Sequence, residues 1–253
     1  MRFLDPRTAR EAQDCPVLDS VNIPLGQLED RVQELGGKSD VVRVLGPSEL
    51  ATAAIQLLEA GGRKAAHQIE FEWGNPGPGR LWSPTAFLEQ TLPKLSPGVA
   101  LDMGCGNGRD AVALAASGWK VTAVDILPDA IHRGQKLSAT YAPYDKDRIE
   151  WQCADLEKQL AYSDGSFDLI TLFRFLPREM LPELPRLLRP GGSILLETFT
   201  PAHRQKHGKP TNEARLLGPT EALTLFPTLR VKHQSYAWRE NGTHTSRLWA
   251  IKA

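Results

Sequence analysis

The chain has 253 residues, 41% hydrophobic and 24% charged, which suits a folded protein with a sizeable core and excludes a disordered one. Thirty basic side chains balance thirty acidic ones, so no global positive field draws in nucleic acid or an anionic membrane surface, and a small-molecule substrate is the expected partner. Three cysteines, Cys15, Cys105 and Cys153, lack CxxC spacing; this argues against a disulfide framework or a metal site and suits a reducing cytoplasm. No stretch approaches the roughly 20 apolar residues that cross a bilayer, so neither export nor anchoring is expected.

At this length one complete domain and a smaller companion are expected. The break falls at GNPGPGR, Gly74 to Arg80, because proline and glycine together support neither a helix nor a central strand. This gives a unit over 1–73, a linker over 74–80 and a domain over 81–253. In the first unit, VLDSVNIPL and KSDVVRVLG read as short strands, and ELATAAIQLLEAGG, Glu49 to Gly62, as a helix with a glycine stop.

In the second, short β-rich runs alternate with helical periods, the pattern of βαβ crossovers onto a parallel sheet. Strands are predicted at Val99–Met103, Lys120–Asp125, Ile149–Ala154, Phe167–Phe173 and Ser193–Phe199. The last two strands flank Asn241-Gly242, a dipeptide suited to a tight hairpin turn, and should be antiparallel.

The segment LDMGCGNGRD, Leu101 to Asp110, runs from a buried strand through Gly104, Gly106 and Gly108 into a helix. Glycine lets a ligand approach the backbone, and the helix start beyond presents unpaired amides. Such turns hold many nucleotides. The discriminating residue is Asp102, just before the turn: a carboxylate there repels a pyrophosphate but suits the ammonium of an amino-acid-bearing cofactor, favouring S-adenosylmethionine over a dinucleotide. Asp125 closes the next strand about 20 residues after the glycines, the position that serves ribose hydroxyls. Asp155 ends the third, where it could accept from an adenine amino group. Each aspartate alone could be a helix cap; three at successive strand ends make the cofactor reading the more economical one.

These residues resemble class I methyltransferases over roughly Leu81 to Ala253. RLWSPTAFLEQTLPKL, FRFLPREMLPELPRLLRPGGSILLETFT and HGKPTNEARLLGP narrow the likeness to the tellurite-resistance and thiol-methyltransferase-like subgroup. The resemblance implies an α/β Rossmann-like fold with a mostly parallel seven-stranded sheet ordered 3-2-1-4-5-7-6, S-adenosyl-L-methionine as donor and S-adenosyl-L-homocysteine as product. It carries cofactor contacts to Asp102, Gly104, Gly106, Asp125 and Asp155, with Cys105, Asn107, Arg109, Asp110, Ile126, Ala154 and Leu156 beside them. Cys105 is assigned no chemistry. Thiols or a chalcogen oxyanion such as tellurite or selenite are the implied acceptors.

Methyl transfer is an in-line displacement that chiefly needs alignment and exclusion of water, so a dedicated base is not required and a cation could hold an ionised nucleophile. Arg174, after the fourth strand, is the foremost candidate, with pairing to Glu197 or another strand-end acid as its structural alternative. His203, Arg204 and His207, in a Gly/Pro-bounded loop read as a substrate lid, are the others, with a solvated surface as the alternative. Trp82 and Phe173 or Phe175 could face the cationic sulfonium, with core packing as the bland account of the phenylalanines.

Leu18 to Gly62 resembles the middle and end of a rhodanese domain. At the end of VVRVL, where a persulfide-forming cysteine would stand, are Val44, Leu45 and Gly46, so sulfur transfer is not expected and packing, homodimer formation or substrate presentation is. Two other functional classes stay open: a cofactor-binding scaffold without transfer activity, and a nucleic-acid or protein methyltransferase, the latter disfavoured by neutral charge.

Overall fold

The computed structural model describes residues 2–38, 40–158 and 160–253. The chain divides into two compact units, Met1–Ser83 and Pro84–Ala253. The first therefore runs past the Gly/Pro-rich segment: Leu81 still packs against its core.

The first unit holds β1 (Phe3–Asp5), α1 (Ala9–Asp14), β2 (Ser20–Asn22), β3 (Val41–Val44), α2 (Ser48–Ala60) and β4 (Lys64–His67). The strands pair in parallel in the order β2-β1-β3-β4. Helix α2 buries Ala51, Ala54 and Leu58, spaced three and four apart on one stripe, in a core with Leu4, Ile23 and Val44. It stops at Gly61-Gly62, where Arg63 N–H donates back to the Leu58 carbonyl. Helix α1 buries nothing and is held by a capping box between Thr8 and Glu11.

In the second unit, α3 (Ala86–Thr91) precedes β5 (Val99–Met103), α4 (Arg109–Ala116), β6 (Lys120–Asp125), α5 (Pro128–Tyr141), β7 (Ile149–Cys153) and β8 (Phe167–Phe173). The short α6 (Leu184–Leu187), β9 (Leu188–Phe199), α7 (Pro201–His207), β10 (Arg230–Trp238) and β11 (His244–Ile251) follow. The sheet runs β7-β6-β5-β8-β9-β11-β10; counting this unit's strands one to seven, that is 3-2-1-4-5-7-6. Pairing is parallel from β7 across to β9 and antiparallel for β11 against β9 and β10. Alternate residues of the central strands, Leu101 and Met103, Ile170 and Leu172, Ile194 and Leu196, bury one face in a core closed by Leu184, Leu187 and Phe226.

Three expectations change. The third strand ends at Cys153 rather than Ala154. The fifth begins at Leu188, its pairing with β8 slipping between Phe167 and Leu169 before Ser193 resumes the ladder. Residues 201–207, read as a loop, form α7: Thr200 accepts from His203 N–H as its cap, Pro201 occupies the first turn, and left-handed Gly208 ends it.

Gly108 caps α4 at φ 74°, and a Cβ there would lie 2.3 Å from the Trp151 ring and 3.1 Å from the Gly134 backbone. Gly108→Ala is expected to cost at least about 2 kcal/mol, from the left-handed backbone and from overpacking together, as a denaturant-unfolding midpoint would measure.

Candidate donor and acceptor sites

Parallel strands bring their carboxyl ends to one edge, where an open α/β sheet leaves its crevice. Asp102 leaves β5 on the face opposite the leucine core and is 2% exposed. Its Oδ1 accepts from the Thr171 hydroxyl on β8 at 2.8 Å, while its buried Oδ2 has no hydrogen-bond partner. Burial, with the charges of Asp110 and Asp125, pushes its carboxyl up to about 8. An ionisable oxygen kept dry and unpaired is costly unless something cationic comes to meet it.

The turn above it is open where a ligand needs room. A Cβ on Gly106, at φ 53°, would have no atom within 4 Å. Gly106 N–H donates to Asp125 Oδ2 at 2.8 Å and Leu127 N–H to Oδ1 at 3.0 Å, so two amides orient this carboxylate at the end of β6. Both oxygens keep further lone pairs for a diol. Asp155 is oriented by Glu157 N–H at 3.0 Å and paired with Lys158 at 3.1 Å, hydrogen bonds that hold it below the usual carboxylate range.

The neighbours divide in role. Gly104 is matched to Phe175, whose Cγ would lie 2.7 Å from a Cβ there, so close packing already requires this glycine. Cys105 donates its N–H to Val124 O, and burial drives its thiol far upward, which makes it inert. Asp110 accepts from Thr85 N–H at 2.6 Å and from the Thr85 hydroxyl at 2.9 Å, anchoring the start of α3. Burial raises this acid, against the Thr85 bonds and the positive charges of Arg174 and Arg109. Asp110 is thus engaged with Thr85 beside the glycine turn. Leu156 is buried in the leucine core, Ile126 and Ala154 are exposed beside Asp125, and Asn107 and Arg109 are half-buried in the turn. Trp82 belongs to the first unit, buried with the Arg80 guanidinium 4.5 Å from its ring. Phe173 is buried at the end of β8.

Arg174 follows β8 in the left-handed region at φ 61°, a conformation non-glycine residues avoid. Its N–H donates to the Glu197 carbonyl at 2.8 Å, and its exposed guanidinium lies 5.6 Å from the Phe199 ring. The alternative of a side-chain pair with Glu197 is not realised. Glu197, buried, accepts from Thr245 Oγ1 at 2.6 Å and pairs with Arg247 at 3.0 Å.

His203 stacks on Phe199, centroids 4.3 Å apart, and is 8% exposed. Its Nδ1 accepts from His244 N–H at 3.2 Å. The neutral ring must then carry its proton on Nε2, making it a hydrogen-bond donor rather than a general base. Burial and the charges of His207, Arg174 and His244 lower its pKa. Ring nitrogen shifts in a ¹⁵N-resolved NMR spectrum at pH 7.5 are expected to show the Nε2–H tautomer; a proton on Nδ1 would refute the assignment. His207 lies 4.5 Å from His203 and donates from Nε2 to Gly242 O at 3.0 Å. Arg204 does not join them: it is paired with Glu213 at 2.7 Å and supports the following loop. His244, which sequence reasoning passed over, packs against Trp238 and hydrogen-bonds Thr200 at 2.8 Å; its position just past the hairpin turn was the one signal. Among the described residues no cluster of His, Cys, Asp and Glu could hold a metal ion, and no helix is long and apolar enough to cross a membrane.

Comparison with known proteins bears on the second unit and its fold. A family model described as a methyltransferase domain matches residues 100–192. Ubiquinone biosynthesis O-methyltransferase of Xanthomonas oryzae pv. oryzae (strain PXO99A) is 31% identical over 109 residues, 40% of this chain and 44% of that protein. Demethylmenaquinone methyltransferase of Clavibacter sepedonicus is 37% identical over 105 residues, 40% of each chain. The chain thus matches less than half the length of either relative. The N-methyltransferase NodS of Bradyrhizobium japonicum WM9, solved with S-adenosylhomocysteine, superposes with a TM-score of 0.52 at 19% identity, covering 66% of this chain and 84% of that one. The second unit therefore has the Rossmann-like fold of S-adenosylmethionine-dependent methyltransferases, and its segment 100–192 is the part that matches their methyltransferase domain.

Proposed function

We propose that the chain moves the methyl group of S-adenosylmethionine onto a small nucleophile that reaches the site as an anion. The observation that carries the donor half is the buried, unpartnered Asp102 oxygen beneath the open Gly106 turn, a place that fits the donor's ammonium. S-adenosylmethionine supplies a methyl made electrophilic by its sulfonium. Asp125 would take the ribose hydroxyls on a carboxylate already aligned by two amides, and Asp155 the adenine edge.

The acceptor half is supported by charge. The Arg174 guanidinium and the Nε2–H of His203 present a cation and a donor around Phe199, so they would hold and orient an oxyanion or thiolate while taking no proton from it. The name of the Xanthomonas relative, an O-methyltransferase, favours an ionised hydroxyl as the first class to try. A thiolate or a chalcogen oxyanion, as the subgroup likeness suggests, is the second.

Transfer of radiolabelled methyl to panels of phenols, thiols, and selenite or tellurite tests the reading. Product in any panel, reduced by Arg174→Ala, is expected. Micromolar donor binding with no product anywhere would favour a binding scaffold instead.

The first unit we read as a degenerate rhodanese-like element. Its parallel sheet leads from β3 through Val44, Leu45 and Gly46 into α2, with no thiol at that strand end. No thiosulfate-to-cyanide sulfur transfer is expected from it.

A further inference from the structure

Beside the proposed acceptor site, the same face of the sheet carries a second cation. Phe199, the ring next to the Arg174 guanidinium, pairs across β9 and β11 with Thr245. Glu197, two residues earlier on β9 and so on the same face as Phe199, meets Thr245 and Arg247. Arg239, just past the end of β10, folds back over this face. Its Nε donates to Thr245 Oγ1 at 2.8 Å, and its Nη2 donates to Ser235 Oγ at 2.9 Å and to the Thr245 carbonyl at 3.2 Å.

The charges on this patch do not cancel. Among the described residues Glu197 is the one carboxylate that reaches Arg239, at 4.0 Å, and Arg247 holds it more closely, at 3.0 Å. The hydrogen bonds of the Arg239 side chain all go to uncharged oxygens, while its Nη1 makes none and reaches solvent. The side chain is nevertheless only 17% exposed. Burial, then the positive charge of Arg247, lower its pKa against the pull of Glu197, so the guanidinium lacks a full counter-charge. A mostly buried cation with one open amino group suits a singly charged anion such as a carboxylate.

We propose that Arg239 sets acceptor specificity: the methyl acceptor is a small carboxylate, with its ionised nucleophile at Arg174 and His203 and its carboxylate at Arg239 Nη1, on either side of the Phe199 and Thr245 pair. Neighbouring strands lie about 4.8 Å apart, so a molecule a few bonds long spans the two positions. This specificity rests on the proposed transfer activity and narrows its acceptor.

Two matched pairs test it: 4-hydroxybenzoate with 4-hydroxybenzamide, and 3-mercaptopropionate with 3-mercaptopropionamide. Each is titrated calorimetrically into the full chain saturated with S-adenosylhomocysteine, and each is assayed for radiolabelled methyl transfer. In at least one pair the acid is expected to bind at least tenfold tighter than its amide, a comparison that needs no variant. Arg239→Gln should abolish that preference while leaving the amide's affinity unchanged, and Arg239→Lys should restore part of it. In the transfer assay Arg239→Gln should raise KM for the acid with little change in kcat. Equal affinity of acid and amide in both pairs, no binding of either acid, or a preference that survives Arg239→Gln would overturn the proposal. Methyl transfer to acid and amide alike would also overturn it, yet leave the transfer activity established. An acid preference lost in Arg239→Gln, with no methylated product, would instead support the carboxylate site and count against the transfer activity.

Discussion

Asp102→Asn is expected to weaken donor binding at least tenfold at pH 8 and to abolish its pH dependence. In the wild-type chain burial and two neighbouring carboxyls hold Asp102 at about 8 instead of 3.8, so the free protein carries a proton there at neutral pH. A cationic ammonium needs the carboxylate, so binding below about pH 8 must release that proton. Affinity should rise roughly tenfold per pH unit up to about 8 and level off above it. The same shift has the opposite consequence for folding. Between pH 3.8 and about 8 the folded state keeps a proton that the unfolded state has lost, so stability falls as pH rises through this window. Asparagine has no proton to lose, and its Oδ1 can still accept from Thr171. The variant should lose donor affinity yet gain stability at pH 8. Calorimetry of S-adenosylhomocysteine binding in buffers of different ionisation enthalpy, with urea unfolding from pH 6 to 9, reads both. A wild-type affinity that is flat from pH 6 to 8 would sink the idea.

The carboxyl edge of the parallel strands was largely legible because its signals are local. Val99–Met103, Lys120–Asp125 and Phe167–Phe173 are short apolar runs with a polar or turn residue just beyond, and they fold as strands at those residues. The order of acid and glycine around Asp102 is likewise a matter of ten residues. What single-sequence reasoning could not supply are partners far apart in the chain. Asp110 has a partner in Thr85, 25 residues earlier, that no local pattern announces. Glu197 is claimed by Arg247, 50 residues on, which frees the Arg174 side chain. Residues 201–207 read as a loop because Pro201 and Gly208 bound them, yet those residues are equally a helix start and stop; the Thr200 cap decides for helix.

Arg174 offers the sharpest test of the acceptor half, because its backbone and side chain can be made to disagree. A left-handed φ of 61° on a β-rich strand end costs an ordinary residue about 1 kcal/mol that glycine does not pay. Arg174→Gly should therefore be as stable as the wild type or up to about 1 kcal/mol more stable, since the exposed guanidinium leaves no buried void. If that guanidinium holds the ionised acceptor, the same substitution should lower the transfer rate about 10- to 100-fold, the order expected for one charged hydrogen-bond donor. Donor affinity should change far less than the rate, because the hydrogen bonds that orient Asp102 and Asp125 come from Thr171 and Gly106 and not from Arg174. Arg174→Lys, which keeps the charge but loses the planar fork, should fall between the two in rate. An unchanged rate in the glycine variant would mean that the strained residue serves only to turn the chain away from β8, and the acceptor would then have to be sought elsewhere along the Phe199 and His203 stack.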